Sequence, residues 1–399
     1  MNIVSVSIET LASGEGINAP CTRLIQFLTY TYIITMNIII LLLAALAFYS
    51  CSQPKNGHEV ASETIDFYGT EMLSLDNDCQ SDILHEKQYV LLNDTNQDCM
   101  IGSVDKIIMK HGNFYILDRR KKRLCAFKSS GKAVGCVGNI GQGPKEYIDI
   151  TDFDVDSKGN VVFIDGRLDK LFIFSSDLEF VKALPMPFEA DIVQTLDSGY
   201  LFGLSSWNEK ECKGSKVVCT DENLKVKSKY LDYDEYIDPN FWISFYQFVE
   251  TDSCYVYNQP IDNNIHLFNK DGSYKECIKM NFGDKNVIDE DKKDIERNLA
   301  NFSNYTLLRD FIFVTGRYIG GFLWQNKIHK AFITDTKSNK TYISSDLLDS
   351  DLSHLAGYCD DAIISYVSLA SDKIDNLPDS VITHVNNEGI ALCLQKLKE

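Results

Sequence analysis

One segment of this chain occurs twice, 47 residues apart and without a gap. His111-Gly-Asn-Phe-Tyr-Ile-Leu-Asp118 returns as Lys158-Gly-Asn-Val-Val-Phe-Ile-Asp165. The same offset carries Leu124 to Leu171, Phe127 to Phe174 and Val134 to Val181. Within each copy, short runs rich in β-branched and aromatic residues alternate with Gly, Ser, Asp and Lys, the pattern of strands separated by tight turns. The spacing predicts strands over 104–109, 113–117, 123–127 and 133–137, then over 152–155, 160–164, 170–174 and 179–184. Four antiparallel strands per repeat of this length is the period of a propeller blade. A lone four-stranded sheet leaves its faces uncovered, so such units must stack around an axis.

The rest of the chain divides along the same lines, less regularly. A third blade is expected over 191–230, a fourth over 245–282 and a fifth over 305–344. The charged stretch 284–301 between the last two reads as one helix outside the ring. A sixth blade would combine 355–370 with 389–397 and take its outer strand from 87–92, near the start of the chain. Pairing of N- and C-terminal strands would close the ring and remove an exposed sheet edge. The expected fold is therefore all-β, a six-bladed propeller of four-stranded antiparallel blades over 86–399.

Between Arg23 and Lys55 there is no charged residue, and Ile38 to Tyr49 is almost pure hydrocarbon. A short apolar run ending in small residues reads as a secretion signal. Residues 1–50 are thus read as a leader, with Met36 as an alternative true start, and 51–85 as a tether. An uncleaved anchor is the competing reading, since the apolar stretch is long enough to span a bilayer.

The net charge of −18 argues against a nucleic-acid partner, whose binding runs on Lys and Arg neutralising phosphates. There are 12 cysteines, 10 of them besides Cys21 and Cys51, and none is spaced C-x-x-C, so a zinc site is not expected. Cys125 with Cys136, and Cys212 with Cys219, are near enough to pair across a hairpin. The preferred reading for either pair is small buried apolar residues in strands.

Two motifs carry a resemblance. Val137-Gly-Asn-Ile-Gly-Gln-Gly-Pro-Lys-Glu-Tyr147, followed by Asp152-Phe153, is similar to the Gly-Pro-x-Glu-Tyr interblade loop of the six-bladed β-propeller lipoproteins of Bacteroides-type bacteria, themselves like NHL-repeat propellers. Phe48-Tyr-Ser-Cys51 resembles a relaxed lipobox, which implies lipidation of Cys51 and a membrane-anchored protein of the cell envelope. Ser52-Gln-Pro-Lys-Asn56 lacks the acidic run that resembles a surface-export signal, so the periplasm-facing side is expected. The resemblance implies the fold and no particular activity.

Several short patterns contain residue types that can carry chemistry. Gly138 to Gly143 has neither dinucleotide-fold nor P-loop spacing, and a strand follows it, so it reads as a turn whose glycines supply positive φ. Asp152, Asp154 and Asp156 alternate along one strand face but lack the Gly and the acidic residue of an EF-hand, which leaves Asp152 and Asp154 as candidates for a non-EF calcium site. Asp118 and Asp165 end equivalent strands and are expected to cap the turns that follow. The basic run from Arg119 to Arg123 and the loop from Gly141 to Tyr147 should share one rim. Arg119, Arg120, Arg123, Gln142, Lys145, Glu146 and Tyr147 are the candidate ligand-binding residues there. Trp207, Trp242 and Trp324 suit glycan stacking if exposed and core packing if buried.

No catalytic signature such as GxSxG or HExxH is present. The expected function is a non-enzymatic binding or scaffold propeller for a glycan, a peptide or an envelope protein. The alternative is a metal-assisted hydrolase or lyase of the NHL or lactonase-like kind, with its site assembled from several blades.

Overall fold

A computed structural model describes residues 62–75, 80–93, 99–238, 246–259, 261–346, 352, 354–369 and 377–399. The leader, Met36, Cys51 and Trp242 lie outside the described residues. Among those described, no helix is long and apolar enough to cross a membrane.

Three N-terminal strands, β1 (Glu63–Asp66), β2 (Glu71–Ser74) and β3 (Gln88–Leu91), precede the blades. Blade one holds β4 (Lys106–Lys110), β5 (Asn113–Asp118), β6 (Arg123–Lys128) and β7 (Ala133–Cys136). Blade two holds β8 (Asp152–Val155), β9 (Val161–Asp165), β10 (Lys170–Phe174) and β11 (Phe180–Pro185). Blade three holds β12 (Ala190–Leu196), β13 (Gly199–Leu204), β14 (Ser215–Thr220) and β15 (Val226–Asp232). Blade four holds β16 (Val249–Glu250), β17 (Tyr255–Tyr257), β18 (Asn264–Phe268) and β19 (Tyr274–Asn281). Blade five holds β20 (Leu307–Val314), β21 (Tyr318–Gln325), β22 (Ile328–Asp335) and β23 (Lys340–Ile343). In blade six, β24 (Leu355–Cys359), β25 (Ala362–Val367) and β26 (Ala391–Lys396) are completed by β3. The first strand of each blade lies innermost: β24, β4, β8 and β12 lie against one another in turn, and β16, β20 and β24 lie together.

Stacking explains the unbroken apolar runs. In β9, Val161 and Phe163 enter the core shared with blade one, while Val162 and Ile164 enter the core shared with blade three. Successive side chains of a strand point to opposite faces, so a blade covered on both faces needs apolar residues at every position. Phe163 stacks on Phe172 with ring centroids 5.1 Å apart, and Tyr147 meets Phe163 edge-on at 5.1 Å.

Ring closure follows the expected route. Leu392 pairs with Val90 and Cys393 with Tyr89 in antiparallel register. The turn between β6 and β7 then comes close enough for Asn93 N–H to reach Gly131 O at 2.8 Å. Gly131 has φ +84°, and a Cβ there would lie 2.0 Å from the Leu91 carbonyl oxygen, so only glycine fits this seam.

Three expectations need correction. Residues 51–85 are not a plain tether: β1 pairs in parallel with β19 and β2 with β23, adding one outer strand each to blades four and five. Between them Phe67 is fully buried, 5.0 Å from the Phe282 ring and 5.9 Å from Phe332. These partners are more than 200 residues away in sequence, beyond any local pattern. The stretch 284–301 holds two four-residue helices, α2 (Asp289–Lys292) and α3 (Ile295–Asn298), after a single turn α1 (Gln80–Ile83) early in the chain. Asp294 ends the first of them by capping the second through Arg297 N–H. The disulfide Cys125–Cys136 is formed, while Cys212 and Cys219 remain buried thiols. Direct cross-strand pairing of Cys125 with Cys136 decides the difference.

Asp335 supplies a pH-dependent brace in blade five. Arg317 grips it with two bonds of 2.7 and 3.1 Å, and Ser338 Oγ donates at 2.7 Å. Burial alone would raise this carboxyl, but Arg317 and the turn donors outweigh it and hold the pKa at about 2, against 3.8 for a free aspartate. A depressed pKa gives stability that is present above the unfolded value and is lost as pH falls through the folded one. The stability advantage of the native protein over Asp335→Asn should therefore shrink between pH 4 and pH 2. Urea midpoints across that range measure it.

Candidate functional site

On one face of the ring, the turns between second and third strands meet the connections that lead into each blade. Two aspartates fix this arrangement, as their positions at strand ends predicted. Asp118 accepts from Lys121 N at 2.8 Å within its turn, and from Ser103 Oγ at 2.9 Å in the incoming connection. Asp165 accepts from Arg167 N at 3.0 Å and from Ile148 N at 2.7 Å in the same way. Each carboxylate ties a turn to the segment that enters its own blade.

Between these fixed turns, across blades one to three, runs a groove of about 460 Å³. Its polar wall is formed by Arg119, Lys122, Asp149, Arg167, Glu189 and Trp207. The Arg119 guanidinium donates to the Thr151 carbonyl. Asp149 sits 3.7 Å from Lys122 Nζ and 3.4 Å from Arg167 Nε. Trp207 is 44% exposed, and its indole N–H donates to the Glu189 carboxylate. Asn208 holds that corner: it accepts from Glu189 N at 2.9 Å and donates to the Glu189 and Ser205 carbonyls at 2.7 and 3.0 Å. The result is an aromatic plate with acceptors and donors on either side.

The structure divides the predicted rim residues. Tyr147 does bring the basic run and the Gly-rich loop together, because its hydroxyl donates to Lys122 O at 3.0 Å and contacts Val137 O at 3.3 Å. It is buried, and that burial pushes its hydroxyl up to about 12. Glu146 turns back on its own loop and accepts from Gly143 N at 2.8 Å. Gly141 and Gly143 wrap this carboxylate, since a Cβ on Gly141 would meet Glu146 Oε2 at 2.0 Å. Only Gly138 in this loop has positive φ, so the expectation that all its glycines serve that purpose is corrected. Arg119 lines the groove, whereas Arg120, Arg123, Gln142 and Lys145 do not. Arg120, Gln142 and Lys145 are exposed, and Arg123 lies half-buried opposite Asp118.

Asp152 and Asp154 face the ring interior and work as clamps between blades. Asp152 accepts from Lys106 Nζ at 2.9 Å and Val193 N at 3.0 Å. Asp154 Oδ2 accepts from Gln194 Nε2 at 2.7 Å and from both Thr195 N and Oγ1 at 2.6 Å. At the other end of the axis lies a second cavity of about 360 Å³, lined in part by Asp154, Lys110, Glu250 and Lys270. Glu250 bridges Lys110 and Lys270, each at 2.9 Å. Burial raises the Asp154 carboxyl, with the Glu250 charge adding to the effect. Burial also opposes ionisation of Glu250, but Lys110 and Lys270 outweigh it and lower its pKa.

Sequence reasoning missed Arg167 and Glu189 in the groove and all three charged bridging residues of the axial cavity. For Arg167 a signal exists, since it stands 47 positions after Arg120. Lys110 ends β4, Glu250 ends β16 and Lys270 lies in the turn before β19, so the three share no linear motif. Trp324, by contrast, is packed, meeting His329 edge-on at 5.0 Å.

A known structure shares the architecture. A Bacteroides fragilis protein assigned as exported superposes with a TM-score of 0.69 at 19% identity, covering 84% of this chain and all of that one. A member of the DUF4221 family from Bacteroides vulgatus gives 0.47 at 10% identity, covering 79% and 98%. Virginiamycin B lyase from Staphylococcus aureus gives 0.41 at 12% identity, covering 78% and 100%. The first of these shows the same fold, and the other two are too distant to bear on the argument. No curated protein matches the sequence. A family profile described as a domain of unknown function, DUF4934, matches residues 62–385, nearly the whole propeller, and the chain belongs to that family.

Proposed function

We propose that this chain is an exported, lipid-anchored binding propeller whose ligand is a glycan held in the groove of blades one to three. The observation that carries the reading is the exposed Trp207 indole, fixed by Glu189 beside Arg119, Asp149 and Arg167. A flat aromatic face suits the C–H face of a sugar ring, and flanking carboxylates and guanidinium groups suit its hydroxyls. Both signs of charge are present in the wall, which favours a neutral polyol over a strongly charged ligand. A peptide or protein partner would demand a larger apolar surface than one indole provides.

Calorimetry of the purified protein against envelope polysaccharides and their oligosaccharides tests this. Trp207→Ala should weaken binding by about 30-fold, the equivalent of about 2 kcal/mol for a buried aromatic anchor, with the melting temperature unchanged. Binding that survives the substitution, or clear cleavage of the bound sugar, would overturn the assignment.

The export part rests on the apolar run from Ile38 to Tyr49 and the Ser50-Cys51 end. Cys51→Ser should move the protein from the membrane fraction to the soluble one. Labelling with a radioactive fatty acid would show whether the lost attachment was acyl.

The hydrolase reading draws on the axial cavity, where the Asp154 and Glu250 carboxyls are pushed in opposite directions. Such divergence is the pattern of an acid and base pair. Turnover abolished by Glu250→Gln and indifferent to Trp207→Ala would favour it.

A further inference from the structure

Three sulfur atoms converge where the ring closes. Cys99 lies in the connection from β3 to β4 and is fully buried. Cys125 on β6 is also fully buried, and Cys136 on β7 is half-buried. The Cys99 Sγ stands 3.7 Å from the Cys136 Sγ, and all three sulfurs lie within 4.8 Å of one another. Among the described residues, no other group of three potential metal ligands comes together. Their surroundings are hydrocarbon, including Leu92, Val104, Phe127 and Leu392.

We propose that Cys99, Cys125 and Cys136 form a redox-gated site for a thiophilic d¹⁰ cation, of the Zn(II) or Cu(I) kind. In the oxidised protein the Cys125–Cys136 disulfide occupies two of the three ligands, and the site is closed. A dithiol reductant opens it: the S–S bond breaks, Cys125 and Cys136 each gain one electron and one proton, and the reductant leaves as its own disulfide. The metal then displaces the thiol protons and binds the sulfurs.

Geometry and ligand chemistry both favour this. Thiolates bound to zinc at about 2.3 Å stand about 3.8 Å apart in a tetrahedral arrangement. Cys99 and Cys136 are already at that spacing. Opening the disulfide frees the Cys125 sulfur, which already lies within 4.8 Å of the other two, and needs no change in the backbone pairing of β6 with β7. An all-sulfur set in apolar surroundings selects soft cations over calcium or magnesium. The spacing 99, 125, 136 has no motif because the three ligands come from different strands and a connection. A bound ion would join the segment leaving β3 to the outer edge of blade one, across the closing seam.

The test uses purified protein reduced with dithiothreitol, which is then removed by gel filtration under nitrogen. Metal content is measured after dialysis against Zn(II) in one arm and Cu(I) in the other. The reduced native protein should retain one ion per chain and gain melting temperature with it. Oxidised protein should retain none. Cys99→Ser, which keeps the disulfide intact when oxidised, should bind at least ten-fold more weakly after reduction and show no metal-dependent gain. Equal uptake by reduced native protein and Cys99→Ser would overturn the proposal. So would reduced protein that has lost its cooperative melt and recovers it with neither metal. Glycan binding by the oxidised form is independent of the outcome.

Discussion

A chain that starts at Cys99 should fail to melt cooperatively. Such a chain lacks β1, β2 and β3, and the last of these is a full strand of blade six. Without it, β26 loses its antiparallel partner from Gln88 to Leu91, and its polar backbone edge is laid open. Blades one and six also lose the segment that bridges them, in which Asn93 accepts from Ala133 N at 3.1 Å and donates to Gly131 O at 2.8 Å. A chain that starts at Lys87 separates the contributions. It keeps the closing strand but loses Phe67, whose ring fills the space between Phe282 and Phe332. Loss of a fully buried phenylalanine costs about 3–5 kcal/mol. The longer truncation should therefore abolish the transition, and the shorter one should only lower its midpoint. Calorimetry distinguishes them, and an unchanged midpoint in the chain starting at Cys99 would refute the closing role of β3.

Lys106→Met should destabilise the ring by about 3–5 kcal/mol, because it strands a buried carboxylate. Lys106 and Asp152 are both essentially inaccessible to solvent, and their charged atoms lie 2.9 Å apart. The lysine also donates to Phe153 O at 2.7 Å, so it joins the first strand of blade one to that of blade two by two bonds. Asp152 in turn accepts from Val193 N, which extends the clamp to blade three. Methionine matches the lysine stem in length and leaves the charge uncompensated. The second change, Asp152→Asn, keeps an acceptor for Val193 N and removes the stranded charge, so the double variant should recover much of the loss. Urea denaturation with an unchanged slope measures both. A loss below about 1 kcal/mol for the single variant would mean that water reaches this pair.

The clamp shows how far a linear pattern reaches. Alternation placed Asp152, Asp154 and Asp156 on one strand face; Asp152 and Asp154 are there, but the strand ends at Val155. Alternation says nothing about what stands opposite, and the partners come from strands 40 or more residues away in both directions. Asp156 instead caps its own turn, accepting from Lys158 N and Asn160 N at 2.8 Å each. Three residues with the same local signature thus serve different neighbours. The rim behaves similarly. The basic run and Tyr147 meet through Lys122 O, as a shared face required, yet Tyr147 is a buried brace and Trp207 presents the aromatic surface.

What the residues settled by themselves was the repeating unit, the number of blades and the way the ring is fastened. Those depend on strand period, turn chemistry and the need to cover both faces of each sheet, all written within a few dozen residues. What only the folded chain decided was which side chains share a cavity: Trp207 with Arg119, Lys110 with Glu250, and Cys99 with Cys136. In a ring, such meetings are set by the docking of blades distant in sequence. That docking is driven by non-directional apolar burial, which leaves no signature at the polar positions it brings together.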